Sequence, residues 1–125
     1  MKKILLVCFL LLAIILTVNA QLTDTKWKNL MNIPDPYETF LQFKKDTVMI
    51  NLVSDGMLIE TMNFKVSKDT LRITKLSGMS PCTEDIIGVY RFEIKEEKLT
   101  ITAIRDNCPE RATAFRPEAW TKEKI

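Results

Sequence analysis

The segment from Cys82 to Arg111 constrains this chain more than any other. It runs C-T-E-D-I-I-G-V-Y-R-F-E-I-K-E-E-K-L-T-I-T-A-I-R-D-N-C-P-E-R, with a charged turn at Lys95, Glu96, Glu97 and Lys98. Gly88, Tyr90, Phe92 and Ile94 fall on one face and Arg91, Glu93 and Lys95 on the other, while Leu99, Ile101 and Ala103 continue the pattern against Thr100 and Thr102. Alternation with a period of two marks a strand with one wet face, and two such runs joined by a tight turn make a hairpin. A hairpin brings the chain back to its starting end. Cys82 and Cys108 therefore arrive at the same open end, where a disulfide can join them.

The first 20 residues are expected to play no part in that fold. Lys2 and Lys3 precede an unbroken apolar run from Ile4 to Leu16, and Val18, Asn19 and Ala20 put small residues just before Gln21. This is the pattern of a secretory signal peptide cleaved after Ala20, which leaves residues 21–125 as one domain. An uncleaved anchor helix is the alternative, but the apolar run is short beside the roughly 20 residues a bilayer requires. Cys8 precedes most of that run, whereas lipid attachment needs a cysteine at the cleavage site. Without Lys2 and Lys3, the 18 cationic residues fall to parity with the 16 acidic ones. A neutral chain lacks the clustered positive charge of a nucleic-acid or anionic-lipid surface, so neither partner is expected. Of the 3 cysteines only Cys82 and Cys108 remain, an even number in a periplasmic or secreted setting where disulfides persist.

The rest of the chain reads as short strands punctuated by turns. Trp27 sits in a first strand, or alternatively a helical turn, which ends at the Ile33-Pro34-Asp35-Pro36 breaker. Strands are expected over 39–44 and 47–53. Asp55-Gly56 is a strong hairpin signal. Met57 to Val66 then places Leu58, Met62, Phe64 and Val66 on one face, and Leu71 and Ile73 oppose Arg72 and Thr74 in the strand that follows. Residues 112–121, with Phe115, Pro117 and Trp120, are expected to form the last strand. Seven or eight strands joined by tight turns favour neighbour-to-neighbour pairing. The expected fold is therefore all-β, a small antiparallel up-and-down barrel of about eight strands with one disulfide.

The C-terminal half resembles the lipocalin-like domains of small exported bacterial proteins, within the calycin group of barrels. The resemblance rests on Cys82, Gly88-x-Tyr90-x-Phe92, Leu99-Thr100-Ile101, Asp106-Asn107-Cys108-x-x-Arg111 and Trp120. It implies that Trp27 and Arg111 are structural, with the guanidinium packed across the indole to close one end of the barrel. Thr25 stands where lipocalins carry a glycine two residues before that tryptophan.

The chemistry available is narrow. With no histidine in the chain, His-dependent triads, His-ligated haem and most transition-metal sites are excluded. Glu84-Asp85 and Glu96-Glu97 are adjacent in sequence, so on strands they face apart and in turns they are solvated, which does not suit general acid and base work. Asp106 and Arg111 suit an ion pair, or a turn in which Asp106 caps backbone N–H groups. No catalytic residue, metal or cofactor is expected.

Two readings of function follow. In the first, the protein is a non-catalytic binder of a small apolar or amphipathic ligand, with Phe40, Phe43, Met62, Phe64, Tyr90, Phe92 and Glu60 as candidate lining residues. Counting back from Phe64 and Met62 puts Glu60 on the apolar face, although a bulge after Gly56 is expected to return it to solvent. The methionines Met49, Met57, Met62 and Met79 suit an adaptable pocket or plain core filling. In the second, the barrel interior is packed and the protein is an interaction module, an inhibitor or envelope accessory factor, that meets a protein partner through loops 31–38 or 77–85.

Overall fold

The computed structural model describes residues 21–125; the expected leader lies outside them. The elements are β1 (Thr25–Asn32), β2 (Pro36–Phe43), β3 (Thr47–Leu52), β4 (Leu58–Ser67), β5 (Thr70–Gly78), β6 (Gly88–Lys95), β7 (Lys98–Arg105), a short helix α1 (Pro109–Ala114) and β8 (Trp120–Glu123). Each strand pairs antiparallel with the next, and β8 returns to β1, so the sheet closes as an eight-stranded up-and-down barrel. Closure gives every strand a hydrogen-bonded neighbour on both sides. Among the described residues, no helix is long and apolar enough to cross a membrane.

The two ends of the barrel differ because their connections differ. At one end the turns are tight, over 44–46, 68–69 and 96–97. Glu96 and Glu97 both take positive φ, 52° and 61°, as a two-residue turn matched to strand twist requires. At the other end lie the short turn 33–35 and the longer connections, 53–57, 79–87 and the α1-containing segment 106–119. Cys82 and Cys108 are bonded at this wider end, with a Cα–Cα distance of 5.6 Å.

Side chains fill the tight-turn half. Trp27, Phe43, Leu71, Leu99 and Trp120 are essentially inaccessible, and Phe64 and Phe92 pack with them in one core. The Phe43 and Phe64 rings meet edge to face, with centroids 5.1 Å apart, an arrangement that favours aromatic pairs. Thr25 has its own task at this end. Its hydroxyl donates to the Leu22 carbonyl and accepts the Trp27 indole N–H at 2.8 Å, so it ties the N-terminal turn to the buried tryptophan.

Three expectations need correction. Residues 112–121 do not form a strand: α1 ends at Ala114 and β8 begins only at Trp120. Pro109 opens the helix, where its fixed φ and missing N–H fit the first turn, and six residues are too few to show a helical period. Arg111 does not lie across Trp27. Its guanidinium is taken up by Asp106, and the cation over a ring among the described residues is Lys26, 4.1 Å from the centroid of Phe40. Finally, Glu60 is not returned to solvent. Ile50 pairs with Glu60 and Asn51 with Leu58, so the bulge falls at Ile59. It turns Leu58 outward, 48% exposed, and leaves Glu60 in phase with the inward Met62 and Phe64 at 5% exposure.

Candidate ligand site at the barrel mouth

The wide end of the barrel holds a cavity of about 610 Å³. Its floor is Met31, Ile50, Ile59 and Met62, all buried, from β1, β3 and β4. Its rim is exposed: Pro34 from the β1–β2 turn, Met79 and Pro81 from the β5–β6 loop, and Glu110 and Thr113 from α1. The helix spans the mouth. Asn32 Nδ2 donates to the Thr113 carbonyl on the β1 side, while the disulfide and a 2.9 Å bond from Arg111 Nη2 to the Ile86 carbonyl tie α1 to the β5–β6 loop. The Phe115 ring follows the helix inward and packs against Tyr90 at 5.1 Å.

Arg111 is held by a buried network. Asp106 accepts from Arg111 Nε at 2.6 Å and Nη2 at 2.9 Å, from the Tyr90 hydroxyl, and from the Cys108 N–H at 2.9 Å. Burial on its own would raise the Asp106 pKa, but the hydrogen bonds from Arg111, Tyr90 and Cys108 outweigh it and hold the carboxyl below its ordinary value. Burial pulls Arg111 the other way, and Asp106 again prevails, keeping the guanidinium firmly charged. Desolvation first, and the neighbouring Asp106 second, push the Tyr90 phenol far above its usual range. Gly88 leaves the space for this cluster, since a Cβ there would stand 2.6 Å from Asp106 Oδ2 and 2.8 Å from the Tyr90 ring. The residues spelled out as Cys82, Gly88, Tyr90, Asp106, Cys108 and Arg111 thus converge on a single brace beside the cavity.

A second polar group stands on the β4–β5 wall. Glu60 Oε1 lies 4.0 Å from Lys75 Nζ, which itself donates to the Ser80 carbonyl. The backbone is shaped around this carboxylate. One bulge precedes it at Ile59, a second falls across the ladder at Leu76, and Gly78 opposite takes φ +138°. A Cβ on Gly78 would lie 1.9 Å from Glu60 Oε1 and 2.6 Å from the Ile59 carbonyl, so only glycine fits. Bulges of this kind re-aim side chains near sites.

Of the seven side chains expected to line a ligand site, Met62 and Glu60 line the cavity. Phe43, Phe64 and Phe92 plug the tight-turn half, Tyr90 braces Asp106, and Phe40 faces outward under Lys26. Sequence reading did not select Met31, Ile50, Ile59, Ser80, Ala114 or Phe115. All lie at the wide end, Met31 and Ile50 near the ends of β1 and β3, Ile59 at the start of β4, and Ser80, Ala114 and Phe115 in the long connections, and that position along the chain was the available signal. Among the described residues, no group of three or more His, Cys, Asp or Glu is arranged to hold a metal ion. Comparison with protein-family models, with curated proteins and with solved structures finds no match to the chain.

Proposed function

We propose that the protein is an exported, non-catalytic, lipocalin-like barrel that binds a small apolar or amphipathic ligand at its mouth. The observation that carries this reading is the cavity of about 610 Å³ between the apolar floor and α1. That size lies within the range of small-molecule sites, which combine apolar walls with a few convergent polar groups. Export is supported by the Cys82–Cys108 bond and by the leader pattern. The test is native mass spectrometry of the disulfide-bonded protein with the neutral dye N-phenyl-1-naphthylamine. A saturable 1:1 adduct supports the reading, and no adduct at micromolar concentration refutes it.

The interaction-module reading keeps one observation in its favour. Leu30, Tyr37, Met57, Leu58, Leu76, Met79, Ile87 and Ile104 are exposed, and by their places in the strands all ring the wide end. A collar of this kind suits contact with another macromolecule. It becomes the better account if the cavity takes up no probe.

A further inference from the structure

Among the described residues, four buried side-chain polar atoms lack a hydrogen-bond partner: Glu60 Oε1, Ser80 Oγ, Arg111 Nη1 and Trp120 Nε1. The first three belong to residues that line the mouth cavity. Buried polar groups are normally satisfied, and leaving one bare is costly. Three such atoms around one apolar space mark places where a ligand supplies the missing partners.

The inventory of lone pairs and protons defines that ligand. Arg111 uses its Nε–H and both Nη2 hydrogens on Asp106 and the Ile86 carbonyl, so the two Nη1 hydrogens remain for an acceptor. Glu60 Oε1 takes only a donor, whereas the Ser80 hydroxyl takes either. Charge, by contrast, is already balanced. Arg111 is paired with Asp106 and Glu60 faces Lys75, while the remaining ionisable lining residue, Glu110, sits exposed on the rim, where water screens its charge. A ligand bringing its own charge would bury it without a counterion.

We infer that the mouth cavity is built for an uncharged amphiphile, an apolar chain or ring bearing at least one hydroxyl or amide donor for Glu60 and a carbonyl or hydroxyl acceptor for Arg111. This rests on the reading of the mouth as a ligand site and goes beyond it by fixing the head group. The distortions around Glu60 fit the same conclusion. Two bulges and Gly78 at positive φ place a carboxylate whose Oε1 has no hydrogen-bond partner among the described residues.

The test is displacement of N-phenyl-1-naphthylamine by three probes of equal chain length, 1-monodecanoylglycerol, decanoate and decyltrimethylammonium. The expected result is that the glycerol ester displaces the dye at a concentration lower by about tenfold or more than either charged probe. Glu60→Gln, which keeps the shape of the side chain, should weaken the ester about fivefold, as loss of a charge-assisted bond implies, and change dye affinity by less than about twofold. Ser80→Ala, which removes only a loop hydroxyl and keeps the carbonyl that Lys75 bonds, should weaken the ester in the same direction. If the dye binds but decanoate or the ammonium probe displaces it as well as the ester does, or if neither substitution alters the head-group preference, the inference is overturned while the cavity reading stands. If the dye does not bind, both fall.

Discussion

Asp106 anchors the helix that spans the mouth, and replacing it with Asn should be among the most damaging single changes in the protein. The substitution preserves shape and removes charge. Arg111, 5% exposed, then keeps its positive charge without a counterion, and an amide NH2, which donates and cannot accept, replaces one of the two carboxylate oxygens that accept from Nε, Nη2, Tyr90 and Cys108. Removing one partner of a buried ion pair costs about 3–5 kcal/mol. At about 4 °C per kcal/mol for a domain of this size, Tm should fall by about 12–20 °C. Urea and thermal unfolding at neutral pH, followed by fluorescence of the buried Trp27 and Trp120, measure this directly. The sign of the pH dependence is fixed as well. The folded pKa of Asp106 lies below the ordinary 3.8, so its contribution is complete above the unfolded-state pKa and is lost as pH falls through the folded value. The gap between wild type and Asp106→Asn should therefore stay level from about pH 7 to pH 5 and narrow below about pH 4. A loss under about 1 kcal/mol at neutral pH, or a gap undiminished at about pH 3, would refute the reasoning.

Other substitutions probe the remaining parts of the site. Replacing Glu60 and Lys75 together by Met removes both members of a pair that is 7% and 14% exposed, so stability should change by less than about 1 kcal/mol, whereas Glu60→Met alone strands the Lys75 ammonium and should cost about 1–3 kcal/mol in urea unfolding; equal losses from the two variants would show that the two charges are not coupled. Gly78→Ala drives a Cβ into the Glu60 carboxylate and the Ile59 carbonyl at a positive φ and should cost about 1–3 kcal/mol; an unchanged urea midpoint would contradict the geometry. Replacing Cys82 and Cys108 together by Ser opens a loop with a sequence separation of 26 and should cost about 3 kcal/mol, with Tm lower by about 12 °C. Equal Tm values with and without reductant would show that the bond adds nothing.

Sequence alternation revealed which residues point inward, and the barrel follows from it, because tight turns between alternating runs leave few ways to pair the strands. The same alternation says nothing about height along the barrel axis. Phe43, Phe64 and Phe92 point inward as expected but stand near the tight-turn end, where they plug the core instead of lining the mouth. The cavity is built at the other ends of the strands and in their longer connections, where periodicity is weakest. Bulges hid the rest. A single extra residue at Ile59 exchanged the faces of Leu58 and Ile59 and kept Glu60 inside, and an insertion of that size leaves no trace in composition. The pairing of Cys82 with Cys108 was legible because a hairpin fixes where its two ends lie. The Arg111–Asp106 pair was legible as an ion pair, but its place beside the cavity emerges only once α1 is seen to span the mouth.

The most direct test of the account is a fluorescence titration of N-phenyl-1-naphthylamine into the wild type and into Ala114→Trp. Ala114 lines the cavity from α1, and an indole there occupies the space a ligand would use. Saturable 1:1 binding to the wild type at micromolar concentration, abolished in the stably folded variant, is the predicted result. No saturable uptake by the wild type, or equal uptake by both proteins, would contradict it.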